Sequence, residues 1–277
     1  MRSSRLFIIS FAVGAIVSCN EKDVIPEEES QGTSFNLLLK TVLKSPDNSA
    51  EIITTYDYNS TGQLIETSKV SQTNGVSSTQ KMVTVFYRTS SRIDSVVDVT
   101  TDTGIVKYKG RSFFSYDIAG KITNSTFIRI PGYSVNTQIG KDSSLYLYNG
   151  SQLIQRIDYR SHDNGPYTLI RDLFYTYDAS GNLIMLRSDY ANSSVDEIIQ
   201  FTFDNKTNSV PVEGSISFWT PAFYHDYRFV NNVINKTAQS EDSYTYEYRY
   251  TPNNKPLYRK EKKVNSPAYG ELYYYYD

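Results

Sequence analysis

The sequence predicts an all-β protein, a long antiparallel meander of repeated hairpins with a period of about 29 residues, curled into a barrel-like or half-open sheet. Three observations predict it. Aromatic and branched residues alternate at two-residue spacing through most of the 277 residues, which include 25 Tyr and 13 Phe, and this is the pattern of half-buried strands. One motif recurs around Tyr58, Tyr87, Tyr116, Tyr148, Tyr177 and Phe203, at spacings of 29, 29, 32, 29 and 26 residues. Runs between turn signals number about 16, and an open twisted sheet rarely passes about ten strands without curling or splitting.

The first element along the chain is an export signal. Arg2 and Arg5 precede an apolar run from Leu6 to Val17, closed by Ser18 and Cys19. The run is shorter than the roughly 20 apolar residues of a membrane-spanning helix. "IVSC", Ile16 to Cys19, resembles the lipobox of bacterial lipoproteins, which implies that Cys19 is acylated and becomes the mature N-terminus. Cys19 is the single cysteine of the chain, so a disulfide framework is not expected. Asn20 after it implies, by the same resemblance, passage to the outer membrane, with the membrane held through lipidated Cys19.

Residues 19–33 form the second element, an acidic tether containing "NEKDVIPEEESQGT", free of aromatics and too polar to build a core. Acidic runs behind a lipidated cysteine resemble the surface-export signals of Bacteroidota lipoproteins, so the protein is expected on the outer membrane, facing either the cell surface or the periplasm. Removing residues 1–18 takes two of the 28 basic residues and none of the 30 acidic ones, moving the net charge from −2 to −4. A nucleic-acid partner, which calls for a basic face, is not expected.

Residues 34–277 read as a single repeat-built β domain. In each repeat, aromatics at alternate positions lead into Asp or Asn with Gly or Ser, and an aliphatic follows six residues after the tyrosine in four copies: Leu64, Ile93, Ile122 and Leu183. Asx and Gly supply the caps and positive φ of a tight hairpin turn. Second turns, such as "SHDNGP" at Ser161 to Pro166, separate the units. The rhythm breaks at "EGSISFWTPAFYHD", Glu213 to Asp226, and resumes to the terminal strand "ELYYYYD". As an edge with almost no charge, that last strand would invite pairing with another chain.

"YDIAGKI" and "YDASGNL" resemble the YD repeats of the RHS family, with a longer period. A nearer resemblance is to Bacteroidota lipoprotein families of unknown function with a porin-like β fold. It rests on "YTYDASGNL", then "FTFDNKTNSVP", an Asn-Asn-Val strand at Asn231 to Val233, and "YTYEYRYTPNNKP". It covers about residues 170 to 260 and implies a fold and an envelope address without an activity.

Charges near strand centres, as in "LIQRIDY" and "PLYRKEKKV", argue against a membrane-spanning barrel, which needs a continuous apolar outer band. The Lys and Arg of "YRKEKKV" read as a solvated strand face. Of the two histidines, His162 reads as exposed turn filler, and His225 beside Asp226 is the better candidate. No zinc, phosphate-loop, Ca²⁺-loop or nucleophile-elbow spacing occurs. No catalytic residue, metal or cofactor is therefore expected, and a non-enzymatic binding protein is the first reading.

The binding candidates lie in the broken rhythm: Phe218, Trp219, Phe223, Tyr224, His225 and Tyr227. They fit either a plug for an open end of the sheet or a platform of aromatic faces for a glycan or protein ligand. A structural or assembly subunit of an envelope complex is the alternative function. A glycoside hydrolase is the third, since carboxylate pairs meet in space and not along the chain.

Overall fold

The structure is a computed structural model that describes residues 37–45, 47–130, 140–162, 165–193, 195–208, 229–239, 242–267 and 269–277. Its strands are β1 (Leu38–Lys44), β2 (Ala50–Tyr58), β3 (Leu64–Thr73), β4 (Val76–Thr89), β5 (Arg92–Asp102), β6 (Ile105–Tyr116), β7 (Ile122–Arg129) and β8 (Gly140–Asn149). The meander continues with β9 (Gln152–His162), β10 (Thr168–Tyr177), β11 (Leu183–Tyr190), β12 (Glu197–Thr207), β13 (Asn231–Ala238), β14 (Tyr244–Tyr250), β15 (Pro256–Lys263) and β16 (Tyr269–Tyr276). Each strand pairs antiparallel with its chain neighbours and β16 pairs with β1, so the expected meander of about 16 strands closes completely into a barrel.

Closure runs from Lys40 opposite Tyr275 to Lys44 opposite Glu271. The Leu37 amide donates to the Asp277 carboxylate at 2.7 Å. The expectation of a free edge at Glu271 to Asp277 is corrected by this register, because β16 is paired on both sides. Its poverty in charge has a local cause. Tyr274 turns inward and is 2% exposed, while Tyr275 and Tyr273 lie outward under the ammonium groups of Lys40 and Lys44, at 4.4 and 5.4 Å.

Alternate side chains fill the barrel. Near the rim formed by the turns after β2, β4, β6, β8, β10 and β14 they are apolar. One cluster holds Leu64, Phe86, Ile93 and Tyr274, a second holds Ile122, Tyr146, Leu173 and Leu183, and Phe114 packs against both. Farther from this rim the interior is polar. Thr84 donates to Asp98 at 2.7 Å, Ser144 donates to Asp158 at 2.7 Å, and Arg156, 0% exposed, gives Nε and Nη2 to the two oxygens of Asp158 at 2.8 Å each. Arg171 adds a third nitrogen to Asp158 at 2.8 Å. A guanidinium buried this deeply is tolerable only when so paired.

The outer face carries charge at mid-strand. Arg111 of β6 lies over Tyr87 and Phe113 at 5.5 and 4.7 Å, Arg187 of β11 over Phe174 at 4.5 Å, and Lys262 pairs with Glu247 at 2.6 Å. "YRKEKKV" divides by alternation: Lys260 and Lys262 face outward, over Tyr269 and beside Glu247. Arg259 faces inward with Glu261 at 3.1 Å, so the solvated-face reading holds for the lysines and is corrected for the arginine.

Candidate functional site

The rim owes its shape to the repeat. In the longer turns an Asx side chain closes the loop that its own backbone opens. Asn59 Oδ1 accepts the amides of Thr61 and Gln63 at 3.0 and 2.9 Å, Asp117 Oδ1 accepts Lys121 N at 2.8 Å, and Asp178 Oδ1 accepts Ser180 N and Asn182 N at 2.9 Å each. Gly62, Gly120 and Gly181 follow with φ of 75°, 82° and 86°, the left-handed region that excludes most side chains. The Asp-x-x-Gly signature thus encodes a turn, and the Asp178 carboxyl is held below its ordinary range by the Asn182 side chain and the turn amides.

A β-bulge follows the same rule in every such hairpin. The register slips just before Tyr58, Arg88, Tyr116, Tyr148, Tyr177 and Tyr250, which then face Leu64, Ile93, Ile122, Leu153, Leu183 and Pro256. The spacing is six residues across the long turns and five across the two-residue turns at Ser90–Ser91 and Gly150–Ser151. Arg88, and not Tyr87, is therefore the structural equivalent in its repeat. Tyr87 lies on the outer face, 49% exposed, and Arg88 gives Nε to the carbonyl of Leu64 at 3.2 Å. In other repeats a phenol makes this bond: Tyr58 to Leu38 O at 2.9 Å, Tyr116 to Ile93 O at 2.6 Å and Tyr276 to Pro256 O at 2.9 Å.

One sector of the rim is built differently. Cys19, among residues 1–36, and the predicted binding residues Phe218, Trp219, Phe223, Tyr224, His225 and Tyr227, among residues 209–228 between β12 and β13, lie outside the described residues. The two ends of the connection are described. Asn208 N donates to Val230 O at 3.0 Å, and Phe229 packs on Phe201 and Phe203 with ring centroids 5.2 and 5.4 Å apart. Beside this aromatic step opens a cleft of about 550 Å³, walled by Asp178, Asn182, Phe201, Phe203, Asp204 and Asn231. His162, by contrast, ends β9 as an exposed side chain, and its carbonyl accepts Gly165 N at 2.8 Å.

The polar wall of the cleft is a preorganised chain of amides and carboxylates. Asn182 gives Nδ2 to Asp178 and to Asn231 at 3.1 and 3.0 Å, while its Oδ1 accepts Asn231 N at 2.9 Å. Asp204 accepts Lys206 N at 2.9 Å and Asn232 N at 3.2 Å, and also the hydroxyl of Tyr250. Burial first, and then the Asp204 carboxylate, push the Tyr250 phenol far up, so it stays a protonated donor. Sequence reading did not single out Asn182, Asp204, Asn232 or Tyr250 as site residues. For Asn232 a signal was present as "NN" opening β13, where Asn is disfavoured.

Chemically the cleft offers planar amides, two carboxylates and aromatic faces. Among the described residues, no cluster of three or more His, Cys, Asp or Glu side chains is arranged to hold a metal ion.

No protein-family model matches the chain. No curated protein matches it. Among solved structures it is similar to a porin-like protein from Bacteroides uniformis ATCC 8492, with 13% identity and a TM-score of 0.56 over 87% of this chain and 96% of that one. A second porin-like protein, from Bacteroides vulgatus ATCC 8482, matches at 11% identity and a TM-score of 0.45, over 87% and 99% of the chains. TcdB2-TccC3 without its hypervariable C-terminal region matches at 15% identity and 0.28, over 80% of this chain and 12% of that one. The first likeness shows a shared fold, the porin-like closed barrel. The YD-repeat likeness rests on the residues alone.

Proposed function

We propose that the chain is a lipid-anchored, non-enzymatic barrel of the outer membrane that binds a glycan in the cleft between the β10–β11 turn and the adjoining ends of β12 and β13. The observation that carries the reading is the cleft wall, where Phe201 and Phe203 stand beside the Asn182, Asn231 and Asp204 network. A pyranose presents an apolar face and a rim of hydroxyls, and aromatic rings with fixed planar amides match both.

The address rests on Cys19 and on the charged outer face. Mid-strand Arg111, Arg187 and Lys260 interrupt any apolar band of the roughly 25 Å height that lipid contact demands, so a barrel held by acyl chains fits better than one that spans. The porin-like fold supports an outer-membrane setting.

Binding of the purified chain to a panel of bacterial and host oligosaccharides tests the proposal. Asn205 lines the cleft as an exposed side chain, so Asn205→Ala is expected to leave the urea midpoint unchanged and weaken glycan binding about tenfold. Trp219→Ala is expected to weaken it further. A panel on which the unmodified chain binds nothing, or variants that bind as well as it does, sinks the reading.

A further inference from the structure

A second cleft on the same rim, of about 580 Å³, lies between the turns of three successive hairpins, β4–β5, β6–β7 and β8–β9. Arg88, Arg92 and Lys121 line it with Tyr116 and Tyr148, and no carboxylate does. The guanidinium of Arg92 lies 5.5 Å from the centre of the Tyr116 ring, and the Lys121 ammonium lies 5.6 Å from that of Tyr148. Burial, first of all, raises both phenols, that of Tyr148 to about 12, so the rings act as neutral faces beneath the cations. Among the described residues neither Arg92 nor Lys121 forms an ion pair.

The nearby carboxylates are already engaged. Asp94 accepts the Thr89 hydroxyl, and Asp117 caps its own turn through Lys121 N. Lys121 Nζ reaches the Gly150 carbonyl, which ties the second turn to the third. Gly120 brings the backbone close to Arg92: a Cβ there would lie 3.3 Å from Nη2. The arrangement holds two cations in place, without a direct ion pair among the described residues, at a position where three turns meet.

We propose that this cleft binds the phosphate group of an anionic ligand, with Arg92 as the forked donor and Lys121 as the point charge. The Arg fork matches two oxygens of a tetrahedral anion, and the lysine supplies a mobile third contact. Two sources carry this group to the rim, a phospholipid headgroup and a free phosphate compound. The first source has a route through the N-terminal anchor. Leu37 and Asp277 meet at this rim, and the eighteen residue-to-residue steps from Cys19 to Leu37 span at most about 60 Å. An acyl anchor at Cys19 therefore keeps the rim within reach of its own membrane.

The test uses the full chain carrying Cys19→Ser, so that no acyl chain contributes, with three probes: inorganic phosphate, phosphatidylcholine vesicles, and phosphatidylcholine vesicles containing phosphatidylglycerol. Binding to phosphate, to phosphatidylglycerol vesicles or to both is expected, weakening as salt rises. The double variant Arg92→Gln and Lys121→Gln is expected to lose about tenfold or more. Loss on both anionic probes assigns the phosphate group itself; loss on vesicles alone assigns the lipid source, and loss on phosphate alone the free one. Arg92→Lys with Lys121→Arg keeps the charge and is expected to retain vesicle binding, which separates recognition from damage to the turns. The proposal is overturned if the unmodified barrel binds neither anionic probe, or if the Gln variants bind as it does.

Discussion

Tyr116 donates its hydroxyl to the backbone carbonyl of Ile93 at 2.6 Å, and Ile93 is the residue that seals the preceding hairpin. The bond fastens this hairpin to the one before it, and Tyr58 with Leu38 and Tyr276 with Pro256 repeat it elsewhere on the rim. Removing one such hydroxyl leaves a carbonyl with one partner fewer in a half-buried place. Tyr116→Phe is expected to cost about 1 kcal/mol, read as a lower urea midpoint at unchanged slope. Tyr58→Phe removes a hydroxyl bound to a different carbonyl, that of Leu38, so the double variant is expected to show about the sum of the two losses. A single substitution without effect would show that the repeated bond does not contribute to stability.

Leu183 is 0% exposed and sits in the second apolar cluster with Leu173 and Leu186. Its place is set by the bulge that brings it opposite Tyr177. Leu183→Ala is expected to destabilise by about 2–5 kcal/mol, the range for a buried Leu that leaves a cavity. Thermal or urea unfolding followed by far-ultraviolet circular dichroism measures it. A loss under 1 kcal/mol would mean that the interior collapses freely around the gap and is not closely packed.

Gly181 and Asn254 occupy the same place in two hairpin turns, with φ of 86° and 63°. An L side chain with a Cβ costs about 1–2 kcal/mol in this region unless, like Asn, it is suited to it. Gly181→Ala is expected to destabilise by about that amount, and Asn254→Gly to change stability by much less. Equal effects of the two substitutions on the midpoint would remove the conformational explanation for the Asp-x-x-Gly signature.

Much of this architecture is legible in the residues because its causes are local. Alternation sets the strands, and Asp with Gly sets the turns. The number of strands forces the sheet to curl. What escapes is what depends on contacts far apart in the chain. Pairing of β1 with β16 leaves no local signature, so "ELYYYYD" reads as a free edge although Lys40 and Lys44 cover its outward rings. Tyr87 lies outward because Arg88 takes the bulge position opposite Ile93 in its repeat, and alignment on tyrosine conceals it. The cleft joins Asn182 to Asn231 across 49 residues, so only the unusual Asn pair hinted at it.

Arg156 shows why the buried charge of this barrel is sensitive to acid. Burial raises the Asp158 carboxyl, yet Arg156 and then Arg171 outweigh it and hold the group below its ordinary range. A carboxyl depressed in the folded state stabilises fully above its unfolded value, about 3.9, and that contribution is lost as pH falls through the lower folded value. Asp158→Asn strips the charge from the partner of a guanidinium that is 0% exposed, so at pH 7 it is expected to cost about 3–5 kcal/mol. Protonation does the same to the unmodified chain. The gap between the two proteins is therefore expected to narrow as pH falls below about 4. Urea midpoints of both proteins from pH 7 to pH 3 measure the gap. If it stays constant over that range, Asp158 is not held ionised by its two arginines, and the polar half of the barrel interior needs a different account.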